Sequence, residues 1–305
     1  MTHRRFYRWL MLCLALFGLA LLAGCSSAPV AHPATPTVAL VLGGGGAKGF
    51  AHIGVIRALE EHHIKPDLVV GTSAGAIVGA IYASGKSANE LTDIALNMNH
   101  HALLDIQPSK QGLMVGKKLQ DFVNTHVQHR SLEQLPTRFV AVATHKNKGT
   151  ATPLYQGDTG LAVQASAAVP TLFIAPRIPQ NHGEKYIDGG QSALLPAQIA
   201  KNFGAKVIIS VDVLAERTRV LPSPAFDSNH LPTGADFWQL FEQFVPPVQA
   251  NPQDVGISDI VITPKLPYSV LDTSERMAMI QAGYDATLPH IAAILSLVSA
   301  HKSPQ

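Results

Sequence analysis

Two short stretches of this 305-residue chain place side chains and backbone where they could do chemistry together. Gly71-Thr72-Ser73-Ala74-Gly75 has G-x-S-x-G spacing, follows the apolar run Leu68–Val70 and precedes a helical pattern. That order predicts a strand-to-helix turn exposing the Ser73 hydroxyl at a helix N-terminus. The alternative is a tight turn whose serine caps the helix. Upstream, Gly43 to Gly46 lead into a helical pattern from Ala47. Glycines let backbone approach a ligand, and a helix start offers unpaired N–H groups with partial positive charge, so this loop predicts an anion cradle. A phosphate-binding P-loop is excluded, because Lys48 is followed by Gly49 and Phe50 rather than Ser or Thr. Gly44, Gly46 and Gly49 do satisfy G-x-G-x-x-G, but a dinucleotide site wants an acid at the end of the second strand, and Asp67 precedes its strand. A serine beside a main-chain oxyanion cradle is what acyl transfer requires.

A serine hydroxyl needs a base. Among fourteen histidines, His290 and His301 lie late enough for a Ser–acid–His order, but both fall in the C-terminal helical region and read as solvated-face residues. His52, His62, His63, His100 and His101 read as helix-face or loop residues. Asp188, in Tyr186-Ile187-Asp188-Gly189-Gly190, ends a short strand at a tight turn. Such a turn either aims a carboxylate at one place or uses it to hold itself, and the residues alone leave both open.

Positioning these groups falls to a wound fold. Apolar runs at Val38–Leu42, Leu68–Val70, Phe139–Ala143, Val207–Val213 and Ile260–Ile262 lack polar alternation, as strands of a mostly parallel sheet buried on both faces do. Helical patterns at Ala47–His62, Ala76–Ser84, Ala88–Met98, Gly116–Val127 and Leu195–Phe203 alternate with them, predicting an α/β fold with helices on both sides. Ser87 and Glu90 form a capping box for the third helix, and Pro196 suits the first turn of the fifth. Thr273–Ala300 is helical with a break near Pro289. Residues 214–256 differ: six prolines and the rings of Phe226, Phe237, Trp238, Phe241 and Phe244 mark an insertion, with a short amphipathic helix expected at Asp236–Val245. Those rings either pack beneath a long loop or form a lid and membrane contact.

The N-terminus predicts delivery of the chain to a cell envelope. Arg4, Arg5 and Arg8 precede an apolar run, Leu10 to Ala23, that is short for a membrane span. Leu22-Ala23-Gly24-Cys25 resembles a bacterial lipobox, which implies a signal peptide over 1–24 and lipidation of Cys25. Ser26 rather than Asp after that cysteine favours the outer membrane facing the periplasm. Residues 25–36 are small and proline-rich, a flexible tether. Removing three arginines leaves 20 basic against 21 acidic residues, so nothing in the charge suggests a nucleic-acid partner. Cys13 and Cys25 are the only cysteines, so the mature domain holds no disulfide or thiol nucleophile. No acidic or histidine cluster has metal-ligand spacing, and the expected chemistry needs neither metal nor cofactor.

Gly44-Gly45-Gly46-Ala47-Lys48-Gly49, Gly71–Gly75 and Asp188–Gly190, in that order, resemble the three blocks of the patatin-like phospholipases. The resemblance is close over about residues 37–213 and looser beyond, where Asp259–Pro264 and Ala282-Gly283-Tyr284 are similar to the bacterial branch. It implies a three-layer α/β/α catalytic domain over 37–300 and a Ser–Asp dyad without histidine. Ser73 would be the nucleophile, Asp188 the general base, and Gly44, Gly45 and Gly46 the oxyanion donors. Lys48 would support the loop or meet a substrate phosphate. The implied substrate is a membrane phospholipid or lysophospholipid, cleaved through an acyl-serine. A lipid-binding lipoprotein with little turnover, and a general esterase or acyltransferase, are the other readings.

Overall fold

In the computed structural model, which describes residues 30–32, 35, 37–99, 103–215 and 250–301, the first apolar run forms strand β1 (Val38–Leu42) with every residue buried. The signal peptide, Cys25, most of the tether, the helix expected at 236–245 and the ring cluster at 226–244 lie outside the described residues. From β1 the chain passes a 3-10 turn, Gly46–Phe50, into α1 (Ala51–Glu61), then β2 (Leu68–Thr72), α2 (Ala74–Ala83) and α3 (Ala88–Asn97). Short strands β3 (Ile106–Ser109) and β4 (Gly112–Met114) precede α4 (Lys117–His126). Next come β5 (Arg138–His145), β6 (Ala151–Leu154), α5 (Thr159–Ser166), β7 (Thr171–Phe173), β8 (Arg177–Ile178) and β9 (Glu184–Asp188). After α6 (Ala197–Asn202) and β10 (Val207–Val211), the described chain resumes with α7 (Pro252–Ile257), β11 (Ile260–Ile262), α8 (Arg276–Thr287) and α9 (Ile291–His301).

The main sheet runs β11-β10-β1-β2-β5-β9-β8, with β6 also on β5. β1, β2, β5, β10 and β11 are mutually parallel, while β6, β8 and β9 join antiparallel. Strand side chains alternate between faces, and the core divides accordingly. Leu40, Leu42, Val69, Phe139 and Ile209 join one apolar cluster with α1, α2, α8 and α9 residues such as Ile56, Ala80, Ile280 and Ile294. Ala39, Val41, Leu68, Val70, Val140 and Ile208 join another with Ala197, Ile199 and Ala200 of α6. Helices therefore cover both faces of a mostly parallel sheet, the three-layer α/β/α arrangement.

The sequence boundaries shift at both loops that carry chemistry. The first helix does not begin as α-helix at Ala47, because Gly46 sits at φ 56° and the Ala47 N–H donates to Val270 O (2.7 Å) instead of a helical carbonyl. The second begins at Ala74, directly after the serine. Ser87 and Glu90 make both bonds of the capping box. The break near Pro289 is a 3-10 turn at Leu288–His290 between α8 and α9. Sequence periodicity missed α5 altogether: all eight of its residues are buried, so it has no polar face to give a 3.6-residue pattern. It also missed the small sheet β3-β4-β7 and the edge strand β6.

Candidate active site

Parallel register brings two distant turns to one place. β2 ends at Thr72, opposite Val142 of β5, and β9 ends at Asp188, opposite Ala143. Adjacent residues of one central strand thus flank Ser73 and Asp188, which are 115 positions apart in the chain.

Ser73 stands at φ 52°, ψ −117°, a conformation that costs a non-glycine residue about 1–3 kcal/mol and is held only where surroundings enforce it. The Gly75 backbone packs against the end of β1, where a Cβ would come within 2.1 Å of Leu42 O, so the flanking glycine is sterically required. Ser73 is partly exposed and is the N-cap of α2, yet its hydroxyl makes no capping hydrogen bond. The capping-serine alternative therefore fails: the hydroxyl stands at the positive end of a helix without bonding to it. The Ser73 N–H donates to Ser166 Oγ (2.9 Å), and Ser166 Oγ donates to Val142 O (2.6 Å).

Asp188 is buried, with 6% of its surface exposed. Oδ1 accepts the Gly190 N–H (2.7 Å), which serves the turn, while Oδ2 is buried with no well-formed hydrogen bond. Burial pushes the carboxyl up to about 6, against smaller opposing pulls from the Ser73 hydroxyl and the Gly190 N–H. Ser73 is thus close enough to act on the carboxyl without an aligned hydrogen bond to Oδ2, as a catalytic pair often stands before substrate binds. The Asp188 main chain is fixed independently: its N–H donates to Ala168 O (2.9 Å), and its carbonyl accepts from Thr144 Oγ1 (2.8 Å).

The glycine loop is held from several sides. Gly43 N–H donates to Val211 O (3.1 Å), Gly44 N–H to Leu194 O (3.0 Å), and His52 Nε2 meets Gly43 O at 2.8 Å. This narrows the sequence expectation: the Gly44 N–H is spent on the chain that follows Asp-Gly-Gly, whereas those of Gly45 and Gly46 carry no such commitment among the described residues. Gly44 still lies against the serine, since a Cβ there would meet Ser73 Cβ at 3.5 Å. Lys48 is 3% exposed, and its N–H donates to Gly45 O (3.2 Å). A lysine packed inside suits support of the loop rather than contact with an incoming phosphate.

His52 is also not the solvated helix-face residue that its sequence position suggested. It is wholly buried, and because a carbonyl can only accept, Nε2 must carry the proton. Burial holds the ring down at about 4, so it is neutral at pH 7. His301 is exposed and His290 partly so, and neither makes a hydrogen bond to Ser73 among the described residues. The sequence reading missed Ser166, Thr144 and Thr72, whose hydroxyl donates to Ala193 O (2.8 Å). Small hydroxyl residues inside apolar runs were the available signal. Two surface cavities, near 520 and 450 Å³, are lined from α3, α4 and the start of α8 and include neither Ser73 nor Asp188; the chemistry is placed by the side chains, not by cavity size.

Residues 40–201 match the family model described as patatin-like phospholipase. Patatin-like phospholipase domain-containing protein 6 of Mus musculus is 33% identical over 183 residues, covering 58% of this chain and 13% of that protein. An NTE family protein of Mycobacterium tuberculosis is 36% identical over 182 residues, covering 59% of this chain and 49% of that one. The chain thus matches less than half the length of either relative. The crystal structure of VipD from Legionella pneumophila superposes with a TM-score of 0.57 at 17% identity, over 87% of this chain and 67% of that one, a likeness of fold.

Proposed function

Because the chain belongs to the patatin-like phospholipase family, we propose that it is a serine hydrolase of lipid carboxylic esters, with phospholipid or lysophospholipid as substrate. The observation that carries this reading is a strained, partly exposed Ser73 without a capping bond beside a buried Asp188 whose Oδ2 is unpartnered and whose basicity burial has raised.

Asp188 takes the proton of Ser73 Oγ as that oxygen attacks the ester carbonyl. The tetrahedral oxyanion is held by the N–H groups of Gly45 and Gly46, with the N-terminus of α2 adding positive potential. Collapse breaks the bond to the glycerol oxygen, which takes the proton from Asp188 and leaves an acyl-serine. A water then attacks, Asp188 accepts its proton, and the fatty acid departs as Ser73 is reprotonated. An aspartate with an ordinary pKa near 3.9 is a poor base for this work, and raising it to about 6 keeps it ionised at neutral pH while strengthening it.

The lipobox resemblance supports a mature protein tethered by a lipidated Cys25 to a bacterial envelope membrane, the outer membrane facing the periplasm, next to its substrate. Incubation of the soluble domain with mixed phospholipids, read by mass spectrometry of released fatty acid, tests the activity. Ser73→Ala and Asp188→Asn should each lower turnover by at least about 10²-fold. Full activity in either folded variant would remove the dyad.

A further inference from the structure

Neither the glycine loop nor the dyad accounts for the end of α5, where Ser166 is wholly buried yet hydrogen-bonded on both sides. We infer that Ser166 is a positioning residue that sets the alignment of Ser73 with Asp188; the inference rests on the proposed roles of those two groups. The directions of its bonds are forced. Val142 O cannot donate, so the single hydroxyl proton of Ser166 goes there, and the oxygen accepts the Ser73 N–H. That N–H belongs to the peptide joining Thr72 to Ser73, and its orientation decides where the Ser73 side chain points. A residue at φ 52° relaxes unless something holds it, and Ser166 is the side chain that holds its N–H.

The same stretch of chain also fixes the other partner. Two residues on, Ala168 O accepts the Asp188 N–H (2.9 Å), and both anchors meet β5 where Val142 faces Thr72 and Ala143 faces Asp188. The last residue of α5 and the turn that follows it therefore gauge the spacing between nucleophile and base. The α5 helix is itself pinned at its start, where Asp158 accepts from Leu161 N (2.6 Å) and from the Asn124 side chain of α4 (2.9 Å). Removing the Ser166 oxygen frees the Ser73 peptide to rotate, and a misplacement on the order of 1 Å between reacting groups can cost about 10²-fold in rate.

The test is the rate at which a fluorophosphonate labels Ser73 in the full chain, alongside kcat and KM for a soluble short-chain ester and the melting temperature. Ser166→Ala should label about 10- to 100-fold more slowly and lower kcat alike, with KM within about twofold of wild type. Introduced into Asp188→Asn, the same change should slow labelling far less, because alignment to an absent base has no value. Ser166→Cys, which keeps the side chain's shape at slightly larger size but bonds weakly, carries the measurement if the alanine variant does not fold. Wild-type labelling in a folded variant, or an equal loss in both backgrounds, would overturn the inference and leave the dyad standing. Wild-type protein that does not label at Ser73 would overturn both.

Discussion

At the scale of single residues, the proposed site depends on a carboxylate that burial has made more basic. Asp188 must be ionised to act, and its pKa is pushed up to about 6. The pH profile of kcat/KM should therefore rise with a single acid limb near pH 6 and level off above it; a profile flat down to pH 4.5 would show that a less perturbed group does the work. The Ser73 backbone at φ 52° and the buried, unpartnered Asp188 Oδ2 belong to the same logic, since each is a local cost and the two fall together at the proposed site. These residues were largely legible in the chain. G-x-S-x-G named Ser73 through its spacing, and Asp-Gly-Gly named Asp188 through resemblance. What spacing could not reveal was that Gly44 would spend its N–H on Leu194, because that bond depends on how a segment 150 residues away returns.

At the scale of elements, α1 and α8 cross with backbone nearly touching backbone. A Cβ on Gly283 would lie 1.9 Å from Ala51 O, and one on Gly54 would lie 1.8 Å from Ile280 O. The approach packs α8 on the start of α1, where Arg276 lies over the Phe50 ring and His52 Nε2 donates to Gly43 O of the glycine loop. Gly283→Ala must force the helices apart, an overpacking cost of about 1–3 kcal/mol, and should lower the unfolding free energy by that amount in a chemical melt. An unchanged midpoint would mean that the helices slide freely. The sequence located both helices, since each has surface to lose and face to bury. It held no hint of α5, which is buried all round and whose end holds Ser166.

For the folded unit as a whole, two buried groups pull stability in opposite directions with pH. Asp188 has a raised pKa, so the folded state binds more protons than the unfolded between about 4 and 6, and stability is lost as pH rises through that window. His52 has its pKa lowered to about 4 from 6.5, so the unfolded state binds more protons there, and stability is lost as pH falls. The two slopes oppose each other between pH 4 and 6. Asp188→Asn should remove one of them. Carrying the carboxyl from 3.8 to about 6 costs the folded state about 1.4 kcal/mol for each tenfold gain in proton affinity. The variant should therefore exceed wild type by up to about 3 kcal/mol at pH 7, and that advantage should vanish near pH 4. Melting both proteins across this range checks it, and a pH-independent difference would refute the burial argument. A variant that is more stable but inactive is the usual trade at a site built for chemistry.

The sequence by itself determined the central parallel strands, most of the helices and the two glycine turns, because unbroken apolar runs, helical periodicity and glycine spacing are local consequences of burial and backbone sterics. Only the tertiary structure decided which groups meet. The parallel register of β2 on β5 and the antiparallel return of β9 set Ser73 beside Asp188, removed water from the carboxylate and so raised its pKa. It also buried His52 and Ser166, ordinary in the sequence, the first against Gly43 O of the glycine loop and the second against the Ser73 N–H. Desolvation and hydrogen-bond geometry are properties of surroundings, and those surroundings join segments that local sequence cannot see together, 115 positions apart for Ser73 and Asp188.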